Sequence, residues 1–195
     1  MIAVDKYPSF WSGIAAAQYP FADVSDYSSW ACGLIESGHD TENVCVLACL
    51  FDEDNRFEID HWHRMALRDL GYSDLSERAA FIAHLRGCAE ELLSGRRDFK
   101  ELNRHFAEIN RNEDEELLEP FVSLHYGYWD FEYVDMSDMG ITSLDDFPKA
   151  CAEACTDLVN KIQAEQAGTG QPATRPESKS EGSDKPQPES EGRSR

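Results

Sequence analysis

Along the first 165 positions apolar residues recur three and four apart, the period of an amphipathic helix, and strict strand-type alternation is hard to find. Start and stop signals bound each stripe. Ser25 or Asp26 caps a helix that carries Tyr27, Trp30, Ala31, Leu34 and Ile35 on one face and stops at Gly38. Asp40 caps a short second helix, Val44 to Phe51, which is apolar almost all round and so is expected at the centre. A third runs from about Phe57 to Leu70 and ends at Gly71, a residue suited to the left-handed turn after a helix. Asp74 with Glu77 has capping-box spacing and opens a fourth, with Phe81, Leu85, Cys88, Ala89 and Leu92 as its stripe and Gly95 as its stop. Asp98 with Glu101 repeats that spacing before a fifth bearing Phe99, Leu102, Phe106 and Ile109. A sixth covers roughly Glu115 to Tyr126 and can restart at Pro120, since proline is tolerated in a first turn. The last runs from Leu144 to about Ile162 through Phe147, Cys151, Ala154 and Leu158. Residues 1–24, with Tyr7, Phe10, Trp11, Tyr19 and Phe21, read as a packed arm holding one short helix. The expected fold is all-α, a compact bundle of about seven short helices.

The pattern stops near Gln166. From Ala167 onward there is no aromatic residue and no aliphatic one larger than alanine, so nothing is left to bury. The chain therefore divides into an acidic helical domain, residues 1–165, and a disordered tail, residues 166–195. Charge sharpens that division. The 195 residues carry 38 Asp and Glu against 18 Lys and Arg, a formal charge of -20. In the tail, Arg175, Lys179, Lys185, Arg193 and Arg195 cancel Glu177, Glu181, Asp184, Glu189 and Glu191, so the excess belongs to the helical domain. Such a surface repels polyanions, which argues against nucleic acid and anionic membranes as partners. A hydrophobic fraction of 41% is still ample for a packed core.

Six cysteines, at positions 32, 45, 49, 88, 151 and 155, would suggest disulfides in a small secreted chain. Residues 1–24 show no basic segment followed by an apolar one of the secretory type. The longest apolar run, Val44 to Phe51, falls far short of the roughly 20 residues of a membrane span. The expectation is a cytoplasmic protein with reduced thiols.

Candidate chemistry is thin. Cys45 with Cys49, and Cys151 with Cys155, have the i,i+4 spacing of two helical zinc ligands, but both pairs fall on apolar stripes and read as core packing. His61 and His63 point about 200° apart on a helix, so they do not share an ion. His63, within the stripe of Ile59, Trp62, Ala66 and Leu70, reads as a hydrogen-bonded core histidine. His84 and Cys88 are also four apart, yet Cys88 is central in its stripe and the pair reads as packing. His39, His105 and His125 fit no ligand pattern. Nucleophile-elbow, phosphate-loop, dinucleotide and metalloprotease motifs are missing, and no cofactor, metal or catalytic residue is assigned.

Acidic residues are unevenly placed. Asp52, Glu53 and Asp54 follow Phe51; Glu113, Asp114, Glu115 and Glu116 open the sixth helix; and Tyr126, Tyr128, Trp129, Phe131 and Tyr133 interleave with Asp130, Glu132 and Asp135. The second cluster is explained by the helix dipole. The third holds too many large rings for a solvated loop, and rings left outside would make, with the carboxylates, a surface suited to a basic protein. The expected partner-binding residues are Asp52, Glu53, Asp54, Glu113, Asp114, Glu116, Tyr128, Trp129, Asp130, Glu132 and Asp135.

The run WACGLIESGHDTENVCVLA from Trp30 to Ala48, with RFEID from Arg56 to Asp60 and ALRDLG from Ala66 to Gly71, resembles a family of small bacterial all-helical proteins. ELLSG from Glu91 to Gly95 and EPFVSL from Glu119 to Leu124 fit the second half of that pattern; His39 and Arg97-Asp98 depart from it. Proteins of this build are similar to the immunity proteins of bacterial polymorphic toxin systems. The resemblance implies no catalytic residues. It implies an immunity-type protein that occludes the active site of a cognate toxin, a nuclease or other enzyme with a basic cleft; a helical adaptor or regulatory subunit is the alternative, and an enzyme is disfavoured.

Overall fold

Short side chains just ahead of the apolar stripe start five of the helices. The computed structural model describes residues 7–16, 18–19, 26–50, 56–113 and 116–168, without the side chains of residues 112 and 113. Asp26 accepts from the Ser29 N–H at 2.8 Å and starts Tyr27–Glu36. Ser9, Thr41 and Ser76 act likewise for Phe10–Ala15, Glu42–Ala48 and Glu77–Leu93, and the Asp98 carboxylate accepts from the Lys100 N–H at 2.8 Å ahead of Phe99–Glu113. With Arg56–Asp69, Glu119–Trp129 and Phe147–Gly168 these are eight α-helices, numbered α1 to α8 in chain order. Three short 3-10 turns accompany them, and there is no strand among the described residues. The architecture is the expected all-α bundle.

Two caps differ from expectation. Thr41 and Ser76 take the places expected for Asp40 and Asp74, because they stand on extended backbone immediately before the first helical residue, where the hydroxyl reaches an unpaired N–H. The stops agree: Gly38, Gly71 and Gly95 adopt φ of 88°, 82° and 77°. Helix α7 restarts with Pro120 in its first turn, directly after a 3-10 turn over Glu116–Leu118. Helix α8 continues to Gly168, past its expected end near Ile162 and past the expected domain boundary at residue 165. Residues 169–195, including nearly all of the expected tail, lie outside the described residues.

Helix α3 corrects a second expectation. It was expected to be apolar on every side and central, with both thiols buried. A helix of seven residues offers one narrow face to its neighbours α2 and α4, and Val44 and Leu47, three apart, occupy it. Cys45 and Cys49 point away and are exposed.

Two apolar cores result. Ile14, Trp30, Leu34, Val44, Leu47, Ala66 and Leu67, from α1 to α4, form the first; Phe81, Leu85, Leu102, Phe106, Phe121, Leu124, Phe147 and Leu158, from α5 to α8, form the second. Helix α5 is the wall between them, with Ala83 in the first core and Leu85, Cys88 and Ala89 in the second. Its small residues let α1 approach closely: a Cβ at Gly87 would lie 2.5 Å from the Ser12 nitrogen. No helix among the described residues is long and apolar enough to cross a membrane.

Candidate functional site

The end of α7 shows why its rings divide between core and surface. Phe121, Leu124 and Gly127 face inward, with Gly127 so close to Met136 that a Cβ would meet its Cε at 2.5 Å. The opposite side carries Tyr126 and Trp129 outward, and the turn after the helix carries Tyr133 and Val134 outward as well. Trp129 is 69% and Tyr133 86% exposed, values far outside the range of packed rings. Asp130, Glu132, Asp135 and Asp138 are exposed among them. The Ser137 N–H donates to the Asp135 carboxylate at 2.9 Å and holds its pKa below the ordinary carboxylate value. From Arg111 to Lys149 the intervening chain has eleven carboxylates and no lysine or arginine.

Not every residue expected at this surface belongs to it. Tyr128 is half-buried, its ring centroid 5.6 Å from Phe99 and 5.2 Å from Phe147, with the Lys100 ammonium 4.7 Å above the ring. Phe131 also turns inward, against Phe147 at 5.7 Å. Glu116 is exposed, but it precedes α7 while Asp130 follows it, and an eleven-residue helix separates its ends by about 16 Å. Asp52, Glu53, Asp54 and Asp114, and the side chain of Glu113, lie outside the described residues. The structure thus brings Trp129, Asp130, Glu132 and Asp135 together at one end of the second core, and adds Tyr126, Tyr133 and Val134.

The histidines separate into two types. His63 is buried, its Nε2 2.9 Å from the Gly13 carbonyl oxygen and its ring edge-on to Tyr27 and Trp30, which is the expected core role. Burial lowers its pKa to about 4. His84 has a different setting. Its Nε2 lies 2.8 Å from Nε2 of His105, across from α5 to α6, and 3.7 Å from Sγ of Cys88 one turn along α5. These three ligand-type atoms all lie within 4.8 Å of one another. Cys88 and Cys151 are buried as expected, and Cys151 donates to Asn103 Oδ1 at 3.2 Å. All six cysteines are free thiols.

Neither the pairing of His84 with His105 nor a cavity of about 840 Å³ was foreseen. Phe10, Trp11, Trp30 and Tyr72 are among the cavity's walls, as is Arg86, whose guanidinium stacks 4.5 Å from the Trp11 ring and pairs with Glu90 at 2.8 Å. The sequence signal was the density of aromatics around residues 7–19, which pointed to packing and left the space between the rings invisible. No family model matches the chain, and no curated protein or solved structure matches it.

Proposed function

We propose that the protein is an immunity-type binding protein, which docks the end of α7 on a basic surface of a protein toxin and covers its working cleft. The observation that supports this reading is the exposure of Trp129 and Tyr133 beside Asp130, Glu132 and Asp135, in a segment with no lysine or arginine. Exposed rings of this size mark interaction sites, and tryptophan and tyrosine are the residues that most often carry interface energy. The carboxylates give direction: they attract a cationic surface, raise the rate of encounter and repel anionic competitors. A toxin that cuts a polyanion needs such a cationic cleft, which ties the charge to the partner class that the resemblance in build implies.

The experiment is a binding titration against a toxin domain encoded next to this chain, by stopped flow at several salt concentrations. The association rate is expected to fall steeply with salt and to drop about tenfold or more in the Asp130→Asn, Glu132→Gln, Asp135→Asn triple variant. Trp129→Ala and Tyr133→Ala are expected to act mainly on dissociation. Protection that survives all five changes, with rates unaltered, would refute the assignment of this surface.

A further inference from the structure

We propose that His84, Cys88 and His105 form a binding site for a zinc-class divalent cation, buried between α5 and α6 and independent of the docking surface. The i,i+4 spacing stacks His84 and Cys88 on one face of α5, and the short turn over residues 94–98 folds α6 back so that His105 meets them. Two imidazoles and a thiol are the ligand set that suits zinc. The spacing fits as well. Tetrahedral bonds of about 2.05 Å to nitrogen and 2.3 Å to sulfur separate a nitrogen and a sulfur ligand by roughly 3.6 Å, and two nitrogens by roughly 3.4 Å. Cys88 Sγ is 3.7 Å from His84 Nε2. The two Nε2 atoms, 2.8 Å apart as a hydrogen-bonded imidazole pair, need to part by only about half an ångström to admit the ion.

His63 supplies the contrast that separates a ligand cluster from ordinary packing. Its Nε2 bonds to a main-chain oxygen, the usual fate of a core histidine. His84 Nε2 instead faces another ligand-type nitrogen, with the Cys88 sulfur beside the ring, 3.7 Å from Nε2 and 3.9 Å from Nδ1. Binding replaces the Cys88 proton with the ion: the S–H bond breaks, a sulfur–metal bond forms and one proton is released.

The charged groups around the cluster are Arg97, held by Glu91, with Glu101 one turn ahead of His105, Arg104 immediately before it and Glu108 one turn after it. Glu101 and Glu108 favour a cation, and Arg97 favours the thiolate while opposing the ion. Tyr19 and Phe106 pack their rings against His84 and His105, so the site is walled on those sides. His105 is the most open member, and on its side a water can complete the tetrahedron.

The test uses the full chain, stripped with a chelator and titrated with cobalt(II), then with zinc(II) as competitor. The expected result is one cobalt per chain, thiolate-to-cobalt charge-transfer absorption with a tetrahedral visible band, release of one proton, and displacement by zinc. Cys88→Ser is expected to abolish the charge-transfer band. His105→Gln, at a less buried position, is expected to weaken cobalt binding by more than about tenfold, since even outer partners of metal ligands carry that much. Cys45→Ser with Cys49→Ser removes the exposed thiols and is expected to leave the band intact. The proposal is overturned if the parent protein gives no band, if the band survives Cys88→Ser, if it vanishes with Cys45 and Cys49, or if a folded His105→Gln binds cobalt like the parent. Should Cys88→Ser fail to fold, the other two variants decide.

Discussion

Nε2 of His63 lies 2.9 Å from the carbonyl oxygen of Gly13, joining α4 to α1 across fifty residues of sequence. A carbonyl only accepts, so Nε2 carries the proton of a neutral ring. The ring is enclosed by Tyr27 and Trp30, with Asp60 and Arg56 as the charged groups that act on it. Burial lowers its folded pKa from 6.5 to about 4. Above pH 6.5 both folded and unfolded chains hold a neutral ring. As pH falls below 6.5 the unfolded chain gains the proton first and stability declines, until near pH 4 the folded ring also protonates. The total loss from this residue is roughly 3 kcal/mol. Urea unfolding should show His63→Gln less stable than the parent at pH 7, yet with a smaller decline between pH 6.5 and 4. Equal declines in the two proteins would rule His63 out as the source.

Gly87 reverses a general rule. In the interior of an ordinary helix, alanine is more stable than glycine by roughly 0.5–1 kcal/mol. Here the added Cβ would stand 2.5 Å from both the nitrogen and the hydroxyl of Ser12, so α1 would have to move off α5. Gly87→Ala is expected to lose about 1–3 kcal/mol in chemical denaturation, the usual cost of overpacking. A gain in stability would mean that α1 does not sit on this seam.

Glu91 lies on the same seam and links three segments. Its Oε1 accepts from the Ser12 hydroxyl at 2.8 Å, and its Oε2 accepts from Arg97 Nε at 3.2 Å and from the other guanidinium nitrogen at 3.0 Å. Only 9% of the residue is exposed. Glu91→Gln removes the charge and turns one acceptor oxygen into a donor, so its single remaining oxygen cannot serve both the Arg97 fork and the Ser12 hydroxyl. The expected cost is about 2–3 kcal/mol, below that of a fully buried pair because Arg97 keeps some solvent contact. Amide hydrogen exchange should quicken across Phe10–Ala15 in the variant, because the Ser12 bond is one of those holding α1 down. An effect confined to the turn after α5 would show that Arg97 alone depends on Glu91.

Helix boundaries were legible because glycine stops and short polar caps are local signals, written within four residues of the end they mark. Which face of a helix turns inward was legible only where one face alone is buried. Helix α5 hides a second face, Ala83, Gly87 and Glu91 at spacings of four, because small residues and a carboxylate do not register as an apolar stripe. The Val44–Phe51 run erred the other way: apolar on all sides in sequence, it gave no sign that Cys45 and Cys49 would face out. The His84–Cys88 spacing was visible, but His105 joins it only through the way α6 packs on α5, which no local pattern encodes. The ring-rich segment after α7 gave a surface in outline, and only burial could sort Tyr128 and Phe131 from Trp129 and Tyr133.

That sorting is itself open to measurement. Tyr133 is 86% exposed, and removing its ring should change stability by no more than about 0.5 kcal/mol. Trp129 touches Tyr128 edge-on at 5.6 Å, an aromatic contact worth about 0.5–1.5 kcal/mol, so Trp129→Ala has a small cost. Tyr128 packs against Phe99 and Phe147 and carries Lys100 on its face, and Tyr128→Ala should lose about 2–3 kcal/mol, somewhat less than a fully buried aromatic. Thermal melts of the three variants should therefore rank Tyr128→Ala as the least stable by a clear margin. A partner-binding defect in Trp129→Ala or Tyr133→Ala then reports on the surface, whereas one in Tyr128→Ala mixes docking with folding. If Tyr133→Ala melted as low as Tyr128→Ala, the outward ring would be holding the fold, and the turn after α7 would no longer be free to serve as a docking edge.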